Sequence, residues 1–148
     1  MLEQIVNDDI EVGVEASDWE DAIRKSARYL LEQGKIEPGY IDAMIDSVHR
    51  NGPYIVITNH VALAHARPEC GVNELGVHYT VLKKGVPFGV ESLDPVSLII
   101  TLAAVDDTSH LELMGELAVI LMEPENVNKL ISSESPEQFR ETLMHALP

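Results

Sequence analysis

The chain has 148 residues, 45 % of them hydrophobic, and its 25 acids against 10 bases leave a formal net charge of −15. That length suits one domain built around one substantial core, residues 1–148 throughout. The charge disfavours nucleic acid, whose phosphates it would repel, and suits a basic protein partner met by steered encounter.

Cys70 is the only cysteine, so an internal disulfide is excluded. The first residues, MLEQIVNDDIEVGVEA, carry early acids and no basic start before an apolar block, unlike a signal peptide. The longest apolar run, Val96–Val105, is about half of the roughly 20 residues that a membrane span requires. A cytoplasmic protein with no direct membrane insertion is expected.

In chain order, residues 2–7 suit a short helix. Ile10–Ala16 alternates, which predicts a strand with Ile10, Val12 and Val14 facing the core. Ser17–Asp18–Trp19–Glu20 has capping-box spacing, with Ser17 as N-cap. The helix it opens runs to Gln33, burying Trp19, Ile23, Ala27, Leu30 and Leu31, and Gly34 stops it. A second helix follows Pro38, with Ile41, Met44, Ile45 and Val48 at helical spacing, and ends before Gly52–Pro53.

Tyr54–Thr58 and Val61–Ala64 read as short strands, Gly76–Leu82 as a strand, Lys83–Lys84–Gly85 as a turn and Val86–Val90 as an edge segment. Val96–Ala104 is apolar on both faces, as a central strand covered by helices on each side would be. Ser109–His110–Leu111–Glu112 has capping-box spacing and opens a helix to Met122. Ser135–Pro136 starts another, with proline in the favoured first turn. Interleaved helices and strands predict an α/β fold, a mixed sheet sandwiched between helices.

His65 stands out among the six histidines. It follows the apolar run Val61–Ala64 between two small residues, Ala64 and Ala66, with Arg67 close by. A neutral imidazole nitrogen is a nucleophile towards phosphorus, and an arginine can contact the added anion. His110 stands at a predicted helix start, where free amides and the partial positive charge favour an anion. Two such turns converge where strand carboxyl ends gather. His78 reads as a polar residue on one sheet face, His49 as a helix-end cation, and His145 as a terminal residue. His60, His65, Glu69 and Cys70 lack the regular spacing of a metal site, so neither metal nor cofactor is expected. Without a Gly-x-Gly-x-x-Gly loop, a Walker loop or a Gly-x-Ser-x-Gly elbow, nucleotide-dependent kinase and serine hydrolase chemistry has no support.

Over nearly its whole length the chain resembles the IIA components of the bacterial phosphoenolpyruvate-dependent sugar phosphotransferase system, mannitol/fructose type. The segments that carry the likeness are Trp19–Ile23, GPYIVI, ALAHARPECGV (Ala62–Val72), LKKGVPFG (Leu82–Gly89) and LAAVDDTSHLELMGELA (Leu102–Ala118), in the family's order. GPY together with HARPE gives it the look of the ascorbate branch. The resemblance implies that His65 is the phosphoryl acceptor and His110 the second active-site histidine, supporting the phosphoryl group. It likewise implies phosphate-binding roles for Arg50, which corresponds to an arginine near the family's site, and for Arg67, beside the histidine as in ascorbate-like variants. It further implies phospho-HPr as donor, a IIB cysteine as acceptor and a membrane IIC component as an indirect partner. The family usually reads Gly-Ile-Ala-x-Pro-His, where this chain has His60, Val61, Ala62, Leu63, Ala64 and His65. Ala64 removes a rigid φ constraint, and His60 puts a bulky side chain where little room is expected. These two departures favour the alternative expectation, a IIA-like regulator whose phosphorylation state controls a partner protein.

Overall fold

The computed structural model describes residues 2–147. A five-stranded mixed sheet forms the middle layer, in the order β1-β4-β5-β3-β2. Its strands are β1 (Ile10–Val14), β2 (Val56–Thr58), β3 (Val61–Ala64), β4 (Gly76–Val86) and β5 (Val96–Ala103). The helices are α1 (Trp19–Glu32), α2 (Pro38–Asn51), α3 (Asp107–Leu121), α4 (Pro124–Ile131) and α5 (Pro136–Ala146). One buried cluster packs α1 and α2 on one sheet face, around Ile23, Leu30, Met44 and Ile99. The other packs α3, α4 and α5 on the opposite face, around Leu63, Ile100, Leu117 and Phe139. Among the described residues no helix is long and apolar enough to cross a membrane.

The expected sandwich is thus present, and β5 is its central strand, with Leu98, Ile99 and Ile100 all buried as an apolar run covered on both faces requires. β5 pairs antiparallel with β4 but parallel with β3, matching Ala64 to Thr101. Parallel pairing sets the carboxyl ends of β3 and β5 side by side, and the chain leaves both toward the same edge of the sheet.

Several local expectations shift. Residues 2–7 form no α-helix but two 3-10 turns, Leu2–Gln4 and Asn7–Asp9. Gly13 has φ +74 and the β1 register shifts between Val12 and Val14. Val14 therefore joins the α1/α2 side while Ile10 and Val12 face α5. Asp18, not Ser17, caps α1, because its carboxylate accepts from the Asp21 amide at 2.8 Å. Lys83–Gly85 is no turn, and β4 continues through it to Val86. Gly85 serves close approach instead: a Cβ there would sit 2.9 Å from both Pro95 Cβ and Ser97 Oγ. Residues 88–90 wind round the Asp94 carboxylate, which accepts from the amides of Phe88, Gly89 and Val90. α4 has no counterpart among the expected elements; Pro124 opens it, and Val127 and Leu130 are its buried face.

Candidate active site

His65 is the first residue after β3, and His110 lies in the first turns of α3, which follows β5. The neighbouring carboxyl ends bring the two rings together, with centroids 5.3 Å apart and planes tilted by 45°. Tyr54 meets the His65 ring edge-on from 5.9 Å. All three line an open cavity of about 590 Å³, which Arg50, Arg67 and Cys70 share. The four residues singled out in the sequence therefore converge on one cavity.

The His65 ring is oriented by its own backbone. Nδ1 lies 2.8 Å from the Leu63 carbonyl oxygen, which can only accept, so Nδ1 carries the proton. Nε2 keeps its lone pair and has no hydrogen-bond partner among the described residues. Burial lowers the His65 pKa below the ordinary histidine value, the Leu63 carbonyl opposes that shift, and His110 adds to it. A neutral imidazole with one unpartnered nitrogen is what nucleophilic attack on phosphorus needs.

The charges around it are unevenly committed. Arg50, at the end of α2, holds Asp46 one turn back at 2.8 Å. Arg67, directly before the 3-10 turn Pro68–Cys70, has no ion-pair partner among the described residues. Asp46 and Asp107 also line the cavity. The helix start differs from expectation: Asp106, not Ser109, caps α3 and accepts from the Ser109 amide at 2.8 Å and from the Ser109 hydroxyl. Those bonds hold the Asp106 carboxyl below its usual range, the Ser109 hydroxyl most of all. The His110 amide already bonds the Asp106 carbonyl at 3.1 Å, so this helix start offers an anion fewer free donors than expected. What His110 presents to the cavity is its ring.

Sequence reasoning passed over Tyr54 and Asp46. Tyr54 sits in a predicted strand, and nothing in its spacing reveals that its hydroxyl lies 3.0 Å from Ser47 Oγ or that its ring flanks His65. Asp46 could have been found, since an acid four residues before Arg50 on a helix is the usual ion-pair spacing.

His60 lies elsewhere. It turns the β2–β3 hairpin at φ +69, and its Nδ1 lies 2.8 Å from the Pro95 carbonyl oxygen. It is half-buried, so the ring has room; the constraint that glycine relieves in the family pattern is the backbone conformation. The length of β3 separates it from His65, roughly 16 Å at ~3.3 Å per residue. His78 is fully buried, bonded to Glu11 at 2.9 Å and stacked on Tyr29. His49 pairs with Glu20, and His145 bonds a backbone carbonyl of its own helix. Among the described residues no three His, Cys, Asp or Glu side chains converge as metal ligands.

Known proteins share this architecture. The family model described as "Phosphoenolpyruvate-dependent sugar phosphotransferase system, EIIA 2" matches residues 3–146. The mannitol-specific cryptic phosphotransferase enzyme IIA component of Escherichia coli K12 is 38 % identical over 128 residues, 86 % of each chain. The ascorbate-specific EIIA component of Salmonella typhimurium LT2 is 36 % identical over 133 residues, 89 % of this chain and 86 % of the relative. The solution structure of the cryptic mannitol IIA of Escherichia coli superimposes with a TM-score of 0.87 at 35 % identity, covering 97 % of both chains. A complex of Escherichia coli mannitol enzyme IIA with phosphorylated enzyme IIB contains a chain that matches with a TM-score of 0.83 at 26 % identity, over 96 % of this chain and 98 % of that one.

Proposed function

The chain belongs to the phosphoenolpyruvate-dependent sugar phosphotransferase system EIIA 2 family, and from that membership we propose that it is a phosphohistidine carrier, loaded by phospho-HPr on His65 and unloaded onto a cysteine of a IIB component. The observation that carries this reading is His65 itself, with Nδ1 occupied by the Leu63 carbonyl, Nε2 unpartnered among the described residues, and the residue lining a cavity shared with His110 and two arginines.

In the loading step the Nε2 lone pair attacks phosphorus in line. The bond from phosphorus to the donor imidazole breaks, and its electron pair leaves with the donor nitrogen. Positive charge develops on the His65 ring, and the Leu63 carbonyl, holding the Nδ1 proton, stabilises it. Arg67 contacts the phosphoryl oxygens directly, and Arg50 does so by exchanging Asp46 for them. The His110 ring closes the other side. Unloading is the reverse at Nε2: a thiolate attacks, a phosphorus–sulfur bond forms, and the electron pair returns to the ring. The protein's share is positioning and charge stabilisation, as in phosphoryl transfer generally.

The relatives are named as mannitol- and ascorbate-specific, which supports a substrate of that type; a membrane IIC component is the proposed indirect partner. Of the two departures that favour the regulatory alternative, His60 lies at the far end of β3 with its ring on the Pro95 carbonyl, while Ala64 is fully buried directly before His65. Incubation with phosphoenolpyruvate, enzyme I and HPr is expected to give the wild type an acid-labile phosphate and leave His65→Ala unlabelled. Equal labelling of the variant would sink the assignment.

A further inference from the structure

The segment that presents His65 is fastened from below by one buried hydroxyl. Tyr40, in the first turn of α2, is 1 % exposed. Its hydroxyl oxygen lies 2.6 Å from the Leu102 carbonyl and 3.0 Å from the Ala66 amide nitrogen. A phenol has one proton, and the shorter contact takes it, so Tyr40 donates to Leu102 and accepts from Ala66. The Ala66 carbonyl is also near, at 3.2 Å. Burial, the largest influence, pushes the Tyr40 pKa up to about 12, so the hydroxyl stays protonated and can serve both neighbours.

The geometry makes this more than a core contact. Ala66 is the residue after His65, and Leu102 lies near the end of β5, upstream of the helix that carries His110. One oxygen thus ties together the two strand ends on which the facing rings depend. The far side of the loop is held to the same helix start. The Glu37 amide donates to the Gly71 carbonyl at 2.8 Å, and Ile36 bridges Val72. A Cβ on Gly71, at φ +139, would come within 3.2 Å of Tyr40 Cβ. The loop bearing Arg67 therefore closes over the Tyr40 backbone while the Tyr40 hydroxyl grips its beginning.

We propose that Tyr40 is a positioning residue for phosphoryl transfer: by joining the Ala66 amide to the Leu102 carbonyl it fixes the His65 ring against His110. This rests on the phosphocarrier reading of His65. Without the hydroxyl, the Ala66 amide loses its acceptor, the segment shifts or loosens, and Nε2 no longer holds its line of attack. A misplacement of about 1 Å can cost up to roughly hundredfold in rate.

The test is Tyr40→Phe, which keeps the ring and removes only the oxygen. Phosphoryl transfer from phospho-HPr is followed against donor concentration and pH, and the His65 ring is titrated by NMR. The expected result is a roughly ten- to hundredfold lower maximal rate, a KM for phospho-HPr changed by less than about twofold, and a His65 titration moved up towards the ordinary value. A general loss of stability would move neither the titration of the folded protein nor the division between KM and kcat. In the wild type, the Tyr40 hydroxyl proton should exchange slowly and show a cross-peak to the Ala66 amide, a measurement that needs no variant. Wild-type rate and titration in Tyr40→Phe, or a rapidly exchanging hydroxyl in the wild type, would overturn the proposal. If the wild type itself takes no phosphate, the carrier reading falls, and the ring titration and the hydroxyl proton still decide the positioning role.

Discussion

Nδ1 of His65 sits 2.8 Å from the carbonyl oxygen of Leu63, two residues back along the same chain. An oxygen that can only accept dictates the tautomer, and with it the nitrogen left to react. Phosphorylation is therefore expected on Nε2. Nitrogen-15 NMR of the unmodified protein should show the Nδ1–H tautomer, and phosphorus coupling after loading should appear at Nε2. A phosphorus–Nδ1 bond would show that the ring turns over before it reacts.

On the proposed carrier reading, the same ring should set the pH range of loading. Burial, the largest influence, holds the His65 pKa below the ordinary histidine value, so the nucleophilic form persists at pH values where an exposed histidine is half protonated. The transfer rate should stay level as pH falls to about 6.5 and decline only below it. With phospho-HPr held saturating, an acid limb centred at or above 6.5 would contradict the buried, neutral ring.

Stability should carry a pH signature of its own. His78 is fully buried, and that burial is the main reason its pKa lies below the ordinary value, with Glu11 opposing. As pH falls through about 6.5 the unfolded chain takes up the proton first, so the stability present above that value is lost progressively on acidification. His65 acts in the same direction. The His78 contribution is at most ~1.4 kcal/mol per pH unit. Urea unfolding between pH 7.5 and 5.5 should show the decline, and His78→Gln should make it shallower, leaving the His65 share. A wild-type stability constant across that range would refute this.

The layered architecture was legible because β5 is apolar on both faces and the amphipathic helices alternate with strands; these are long-range, redundant signals. Single-residue assignments were not, since competing groups lie one to three positions apart. Asp18 stands beside Ser17 with an acid at the right spacing for either, and Asp106 stands three residues ahead of Ser109. A glycine's role is also silent in the sequence: Gly13 sits in an alternating run yet takes a positive φ, and Gly85 reads as a turn yet serves close approach. The pairing of His65 with His110 was suggested by both following strands, but their 5.3 Å separation depends on β3 and β5 being adjacent and parallel, which no local pattern encodes. The Tyr40 hydroxyl was invisible for the same reason, as its partners lie 26 and 62 residues away.

Arg50 and Asp46 form an exposed pair whose partners stand one helical turn apart, 76 % and 55 % exposed. Such pairs contribute about 0–1 kcal/mol to folding. Arg50→Gln should thus leave stability within about 1 kcal/mol, while the loss of a charge-assisted phosphoryl contact slows transfer roughly ten- to hundredfold. Asp46→Asn should act oppositely, releasing Arg50 and removing a negative charge from the cavity, so that loading holds or quickens. Slower loading in Asp46→Asn would mean that the carboxylate aims the guanidinium rather than competing with the phosphoryl group.

His60 separates backbone from side chain. At φ +69 it occupies the left-handed region, where a residue with a Cβ is strained by about 1 kcal/mol or more. Its ring recovers part of that through the 2.8 Å contact of Nδ1 with the Pro95 carbonyl. Comparing His60→Ala with His60→Gly removes the ring from both and leaves only the Cβ. Despite its freer unfolded chain, the glycine variant should be the more stable by about 1 kcal/mol, read from urea midpoints at equal slope. Phosphoryl transfer should match the wild type in both, because the hairpin turn lies at the opposite end of β3 from His65. Equal stability would mean that the hairpin relaxes out of the left-handed conformation once the Pro95 contact is gone.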